Sequence, residues 1–143
     1  MKSQKGNIKT VPTILSGVYT SSQTGQAVDL TGYDAAMIVA SFGAGGDTYD
    51  ATDKARIYIE ESDDGSSWNV AALEDVQNGV GGTFSSTFAN IDNNSDDEKN
   101  YEAHYIGHKN FIRANASFPG THTNGMPLAV NVVLRGKQYF PIA

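Results

Sequence analysis

The chain has no cysteine, few charged residues and no long apolar run. Without cysteine there is no disulfide framework, no thiolate zinc site and no cysteine nucleophile. The longest apolar stretch, residues 35–40, is far too short to cross a bilayer, and no apolar segment follows the polar start as in a secretory signal. We therefore expect a soluble domain with no membrane partner.

Charged residues make up only 18% of the chain, against roughly a quarter in an average domain. Sixteen acidic residues outnumber ten basic ones, which gives a net charge of −6. Binding to nucleic acid depends mainly on lysine and arginine at phosphates, so this balance argues against a nucleic-acid partner. Uncharged polar residues and 15 glycines replace the missing charges, a composition typical of turn-rich β-proteins that are secreted or form assemblies.

The 143 residues fit one domain that buries roughly 70% of its unfolded surface. Apolar residues recur with a period of two in most segments, clearly so in residues 55–60 and 111–118. This period indicates half-buried antiparallel strands. Turn signals such as Asp64–Gly65 and Asn124–Gly125 separate the segments at short intervals.

These patterns predict eight or nine strands, at residues 10–20, 26–30, 34–42, 55–62, 67–73, 83–88, 99–106, 110–118 and 127–137. Residues 73–76 form one helical turn at most, and no window has the period of a capped α-helix. Many short strands with frequent turns favour an all-β, single-domain antiparallel β-sandwich, jelly-roll-like by preference and immunoglobulin-like as second choice. Residues 1–9 are expected to form a flexible arm and residues 10–143 the sandwich.

The segment Asp92–Glu98 gathers oxygen ligands and begins like the calcium loop of an EF-hand. Asp97 stands where that loop requires glycine, and Ala103 where it requires a bidentate glutamate. We therefore expect a solvated acidic loop between strands. A nonstandard calcium site is the alternative.

A second acidic region contains Asp47, Asp50, Asp53, Glu60, Glu61, Asp63 and Asp64. Glycosidases use paired carboxylates, but one of the pair needs an apolar environment that raises its pKa. Since these residues lie in turns rich in glycine, serine and threonine, we expect ordinary solvated carboxylates.

Three histidines are candidate metal ligands: His104, His108 and His122. Metal ligands converge on one point, whereas strand residues four apart lie ~13 Å from each other. We expect surface histidines. Neither a nucleophile elbow nor a phosphate-binding loop occurs, so we predict no enzyme, no cofactor and no metal.

Residues 60–70 are the most informative segment. A strand ends in carboxylates, Asp64–Gly65 turns the chain, and Trp68 begins the next strand by packing back. Residues 25–36 precede this hairpin, and residues 101–113 and 127–130 follow it. In this order the segments resemble small β-sandwich proteins of tailed bacteriophages that decorate or cement capsids, over most of residues 10–140.

The resemblance implies a non-enzymatic virion structural protein on the capsid exterior, with the major capsid protein as partner and a homotrimer as the typical assembly. The first ten residues contain lysines and no acid, which suits contact with an acidic lattice. The apolar end of the chain offers a second attachment. The candidate capsid-binding residues are Lys2, Lys5, Lys9, Tyr139, Phe140 and Ile142. A disordered leader and a simple last strand are the alternative interpretation.

A carbohydrate- or receptor-binding sandwich of a head or tail fibre is the second hypothesis. Exposed aromatic rings stack on sugars in such proteins, and the candidates are Trp68, Tyr49, Tyr58 and Tyr101. A single tryptophan beside a turn more often packs in a core, so we expect Trp68 to be a core residue.

Overall fold

A computed structural model describes residues 6–136, which contain eleven strands and two short 3-10 turns, Leu73–Asp75 and Asn94–Asp96. The strands are β1 (Ile8–Tyr19), β2 (Gln23–Thr24), β3 (Val28–Asp29), β4 (Ala35–Phe42), β5 (Ala55–Ser62), β6 (Asn69–Val70), β7 (Val76–Gln77), β8 (Ala89–Ile91), β9 (Asn100–Tyr105), β10 (Phe111–Ser117) and β11 (Met126–Arg135). No helix in this part of the chain is long and apolar enough to span a membrane.

The strands form two antiparallel sheets. The first has the order β1-β11-β4-β9-β7, and the second has the order β2-β10-β5-β6, with β3 beside β10 and β8 beside β5. We count β2 and β3 as one broken strand and β6 and β8 as another, and we leave out the two-residue β7 at the edge of the first sheet. The eight remaining strand positions then run 1-8-3-6 in the first sheet and 2-7-4-5 in the second. This is the order of a jelly roll, and the two antiparallel sheets confirm the predicted all-β sandwich.

The core lies between the sheets because burial alternates along the long strands. In β5, Ala55, Ile57 and Ile59 are fully buried, while the residues between them are half-buried on the outer face. The same alternation runs through β4 and β11. The period of two seen in the sequence therefore reports the inner and outer faces correctly.

Thr13 ties the two sheets together at the β1 edge. Its side chain is buried, and its Oγ1 donates to the carbonyl of Gln26 (2.9 Å) and accepts from the amide of Ala114 (3.0 Å). Gly25 makes this approach possible, since a Cβ there would lie 2.0 Å from the carbonyl oxygen of Ala114. A side chain in the middle of one strand thus holds strands of the opposite sheet.

Two predicted strands differ from those observed. Residues 83–88 form an irregular segment rather than a strand, because the buried Ser86 side chain takes the place of a strand partner. Its Oγ accepts from the amide of Ile59 (2.9 Å) and donates to the carbonyl of the same residue (2.6 Å). The strand follows at β8, and the one predicted at residues 67–73 is reduced to β6.

The first strand begins two residues earlier than predicted. Ile8 and Lys9 pair with Arg135 and Leu134, so β1 extends to the start of the sheet. The expected arm boundary at residue 9 therefore falls inside a strand.

Candidate functional site

The two ends of the described chain meet at one corner of the sandwich, which we call the terminal corner. The amide of Gly136 donates to the carbonyl of Asn7 (2.8 Å), next to the pair formed by Ile8 and Arg135. Lys9, predicted in the arm, lies exposed in β1. The other candidate capsid-binding residues lie outside the described residues, a few positions from this corner: Lys2, Lys5, Tyr139, Phe140 and Ile142.

A cleft of about 350 Å³ opens beside the terminal corner. Its walls are residues 30–36 and 107–110. The amide of Asp34, in the first wall, donates to the carbonyl of Arg135 (2.9 Å), which fixes the cleft to the corner. The second wall is held from outside by an exposed ion pair, in which the Lys109 ammonium lies 2.9 Å from the carboxylate of Asp63. The hydrogen bond to Asp63 raises the pKa of Lys109.

Tyr105 lies between the two cleft walls and is nearly buried. Its hydroxyl donates to Glu61 (2.6 Å) and accepts from the amide of Lys109 (3.1 Å). Burial raises the pKa of Tyr105 far above its usual value, so the phenol stays neutral and keeps its donor role. This contact joins the end of β9 to the opposite sheet.

Asp64 and Gly65 form the turn that follows β5. Gly65 adopts a positive φ of 77°, which glycine tolerates without strain. The Asp64 carboxylate accepts from the amides of Ser67 (2.9 Å) and Ser66 (2.8 Å), and these bonds lower the pKa of Asp64. The turn is therefore closed by its own carboxylate.

Trp68 follows this turn and lies on the outer face of the second sheet, so its expected place in the core is wrong. The guanidinium of Arg113 lies 4.2 Å from the centre of its ring. Arg113 also donates through Nε and Nη2 to Oε1 of Glu60, at 2.8 Å each. Nδ2 of the Asn115 side chain donates to the same oxygen. Because both charged side chains are about four-fifths buried, they form a fixed unit with Trp68.

A stacked pair of aromatic rings lies on the same outer face of the second sheet. The rings of Tyr58 and Phe84 are stacked with centres 3.8 Å apart, and the guanidinium of Arg56 lies 5.4 Å from the Phe84 ring. Sequence reasoning singled out Tyr58 but missed Phe84, Arg56 and Arg113. The missing signal was the register of β10 against β5, which places Arg113 opposite Glu60.

No protein-family model, curated protein or solved structure matches this chain. Inference about its function therefore rests on the chemistry of its own surfaces.

The carboxylates of the β4–β5 loop bind backbone amides of the β10–β11 loop. Asp47 accepts from Asn124 (3.0 Å) and Gly125 (2.8 Å), and Asp53 accepts from Thr121 (2.7 Å). The bonds from Asn124 and Gly125 lower the pKa of Asp47. Asp47 and Asp53 were expected to be ordinary solvated carboxylates, but their hydrogen bonds join two loops.

The segment Asp92–Glu98 is bound to the same loop from the other side. Asp97 accepts from the amide of Gly45 (2.8 Å), and Asn94 accepts from the amide of Tyr49 (2.9 Å). No group of three or more His, Cys, Asp or Glu side chains within residues 6–136 is arranged to hold a metal ion. The loop binds protein backbone rather than standing in solvent alone.

The three histidines do not converge. His104 lies in β9 and His108 is exposed in the next loop. His122 lies at the opposite end, where its Nε2 is 2.9 Å from the carbonyl of Pro119 and its ring contacts Phe118 edge-on. All three were expected at the surface, but only His108 is fully exposed, while His104 and His122 are half-buried.

Two of the predicted sugar-stacking residues have other contacts. Tyr49 is 96% buried, so it cannot stack on a ligand, and its selection was wrong. Burial raises its pKa to about 12. Tyr101 is half-buried, with its ring edge-on to Phe42 and its hydroxyl donating to the carbonyl of Asp96 (2.6 Å). Tyr101 also lines a crevice at the β9 edge of the first sheet.

Proposed function

We propose that the protein is a non-enzymatic structural component of a tailed-bacteriophage virion that binds the outer surface of the capsid. Its partner would be the major capsid protein. The observation that carries this proposal is the meeting of both chain ends at the terminal corner. The two segments that hold the candidate capsid-binding residues start from one place and can act as one attachment site.

The charges of this region support the proposal. Lys2, Lys5 and Lys9 occur without any acid in the first ten residues, and Lys137 follows the corner at the other end of the chain. Residues in extended chain span about 3.3–3.6 Å each, so each terminal segment can reach roughly 15–25 Å from the corner. Clustered lysines steer a protein to an acidic surface, and the apolar end of the chain can then be buried there.

The edge strand β1 carries exposed apolar side chains toward the end that is remote from the terminal corner. Leu15 and Val18 are more than half exposed. A shallow groove of about 450 Å³ runs beside them, with Phe42 and Pro127 in its wall. This apolar edge lies at the end of β1 remote from the terminal corner. It offers a second contact surface for another copy or a capsid subunit, which supports a homotrimer as the assembling unit.

The fold and composition agree with this role. Jelly rolls serve in viral capsid proteins and in lectins, so the fold alone does not decide between them. A surface with few charges is more easily desolvated in repeated contacts, because fewer unpaired charges are buried.

The proposal is tested by the occupancy of purified capsids that lack the protein. The variant Lys2→Ala/Lys5→Ala removes two charges from the chain start without touching β1. The matched control Lys54→Ala/Lys99→Ala removes two lysines from the opposite end of the sandwich. We expect the first variant to lose occupancy steeply as salt rises, while the control binds like the unchanged protein.

Removal of residues 138–143 tests the second segment. We expect weaker binding at every salt concentration, because apolar contacts are lost rather than charges. Full occupancy by a protein that lacks both residues 1–5 and residues 138–143 would overturn the proposal. Removal of residues 1–9 is unsuitable, since it takes Ile8 and Lys9 out of β1.

A further inference from the structure

A crevice of about 550 Å³ opens between the edges of the two sheets. One rim is β9, which β7 covers only at His104 and Tyr105, so residues 100–103 have no strand beside them on this side in the described chain. The opposite rim is Asn90 of β8, and the buried ring of Phe88 lies beneath. The volume is within the range of pockets that hold small ligands.

Side-chain amides dominate the polar lining. The side chains of Asn78, Asn90 and Asn100 line the crevice, and each carbonyl oxygen of a side-chain amide can accept while each NH₂ has two N–H donors. Oδ1 of Asn90 is inaccessible to water and accepts no hydrogen bond from a described residue, although its Nδ2 donates to Asp92 (3.1 Å). An unpaired buried acceptor costs free energy that a ligand hydroxyl can recover after a small rotation of the amide.

The charge of the crevice lining restricts the kinds of ligand that can bind. The lining contains the carboxylates of Asp96 and Glu102 and no cationic side chain. Anionic ligands such as phosphates, nucleic acids and acidic polysaccharides are therefore disfavoured. Tyr101 and the exposed Val80 add apolar surface to this polar lining.

We propose that this crevice binds a neutral glycan. Sugar hydroxyls both donate and accept, which matches amides and carboxylates set beside apolar surface. An extended peptide would need the free edge of β9. Nδ2 of Asn78 already faces the carbonyl of Glu102 (3.4 Å) along that edge, so an added strand would have to displace it. A sugar ring needs only the side chains.

The position of the crevice allows it to act together with the terminal corner. β9 and β7 form the edge of the first sheet that lies opposite to β1. Asn100 is at the end of β9 next to the loop Asp92–Glu98, whereas the corner is at the start of β1. A protein attached through the corner would present the crevice away from the capsid. The glycan proposal itself does not depend on capsid binding, since the isolated protein tests it.

The experiment is a titration of the isotope-labelled protein, followed by NMR. The probes are maltohexaose, cellohexaose and mannohexaose as neutral oligosaccharides, with polygalacturonate as an acidic one. We expect at least one neutral probe to shift the side-chain amide signals of Asn78, Asn90 and Asn100 at millimolar concentration, and polygalacturonate to leave them unchanged.

A pair of variants separates ligand binding from folding. Asn100→Ala/Glu102→Ala alters exposed side chains that make no side-chain hydrogen bond to a described residue, and should weaken binding about tenfold. The control Asn69→Ala/Glu74→Ala changes the same two residue types outside the crevice and should bind normally. Equal affinity of the two variants, preference for polygalacturonate, or no shift with any neutral probe would each overturn the proposal.

Discussion

The two ends of the sandwich are closed by different interactions. At one end, which we call the acidic end, three loops meet: residues 43–54, 92–99 and 119–125. Carboxylate and amide side chains there accept hydrogen bonds from backbone amides of a neighbouring loop, as Asp47 does from residues 123–125. At the terminal corner, backbone pairing and an exposed ion pair hold the loops, and a cleft remains open.

This difference shows that a cluster of acidic residues can look like a metal or catalytic site in the sequence and yet have a structural role in the folded protein. Asp47 and Asp97 are grouped with other acids, as in a metal or catalytic site. Each is instead occupied by backbone N–H donors, which lowers the pKa of Asp47 and leaves its carboxylate little free to act on a ligand. The terminal corner has fewer such bonds and an open cleft beside it, which is why we propose this region for partner binding.

The largest effect is expected from a pair of glycines with the same backbone conformation. Gly120, at the acidic end, and Gly32, near the corner cleft, have φ of 88° and 86°. A Cβ at Gly120 would lie 2.0 Å from Oδ1 of Asp53, whereas one at Gly32 meets nothing within 4 Å. Gly32→Ala should cost about 1–2 kcal/mol of unfolding free energy from strain. Gly120→Ala should cost about 2–5 kcal/mol, since overpacking adds to the strain. Urea unfolding measures both, and equal costs would contradict a tightly packed acidic end.

Removal of the Asp47 carboxylate is expected to have the next largest effect. Asp47→Ala leaves the amides of Asn124 and Gly125 without their acceptor, at a cost of about 1–2 kcal/mol, reduced because the site is partly exposed. Glu74→Ala is the matched control on the exposed 3-10 turn and should stay within about 0.5 kcal/mol. Thermal unfolding of the two variants tests whether stability depends on the hydrogen bonds that Asp47 accepts or only on its negative charge.

The pH dependence of stability gives a smaller effect at the same end. Bonds from Asn124 and Gly125 lower the folded-state pKa of Asp47, so its contribution is complete above the unfolded pKa near 4 and is lost as pH falls through the folded pKa. The stability difference between the unchanged protein and Asp47→Asn should therefore narrow below pH 4. Asn94→Ala, which removes bonds but no titratable group, should show a constant difference. Urea midpoints from pH 7 to pH 2 measure both.

The smallest effect is expected at Tyr49. Its buried hydroxyl has no hydrogen-bond partner among the described residues, so Tyr49→Phe should leave stability at pH 7 unchanged or slightly raise it. Burial raises the folded pKa to about 12, so the Tyr49 contribution is present below the unfolded pKa near 10 and is lost as pH rises from there. Tyr49→Phe should thus lose less stability between pH 9 and 11. An unaltered alkaline profile would show that this hydroxyl is hydrated.

The sequence predicted the fold well because period-two patterns report which face of a strand is buried. β5 has the predicted bounds, residues 55–62. Residues 83–88 were misassigned because Ser86 pairs through its side chain, which no local pattern reveals. The Arg113–Trp68 contact and the crevice beside Asn100 depend on which strands become neighbours, and that information lies in distant parts of the chain.

The position of β11 in the sheet also determines when, during synthesis, the first sheet can form. The last of the described strands lies between β1 and β4, and the pair Ile8–Arg135 joins residues near the two ends of the chain. During synthesis, the edges of β1 and β4 that face β11 stay unpaired until β11 has left the ribosome, because β11 is the one strand of the described residues that pairs with those edges. Closure over so long a loop is entropically costly, so the first sheet should form late and slowly. A chain cut before Met126 would lack the strand that joins β1 to β4 and could not form the terminal corner.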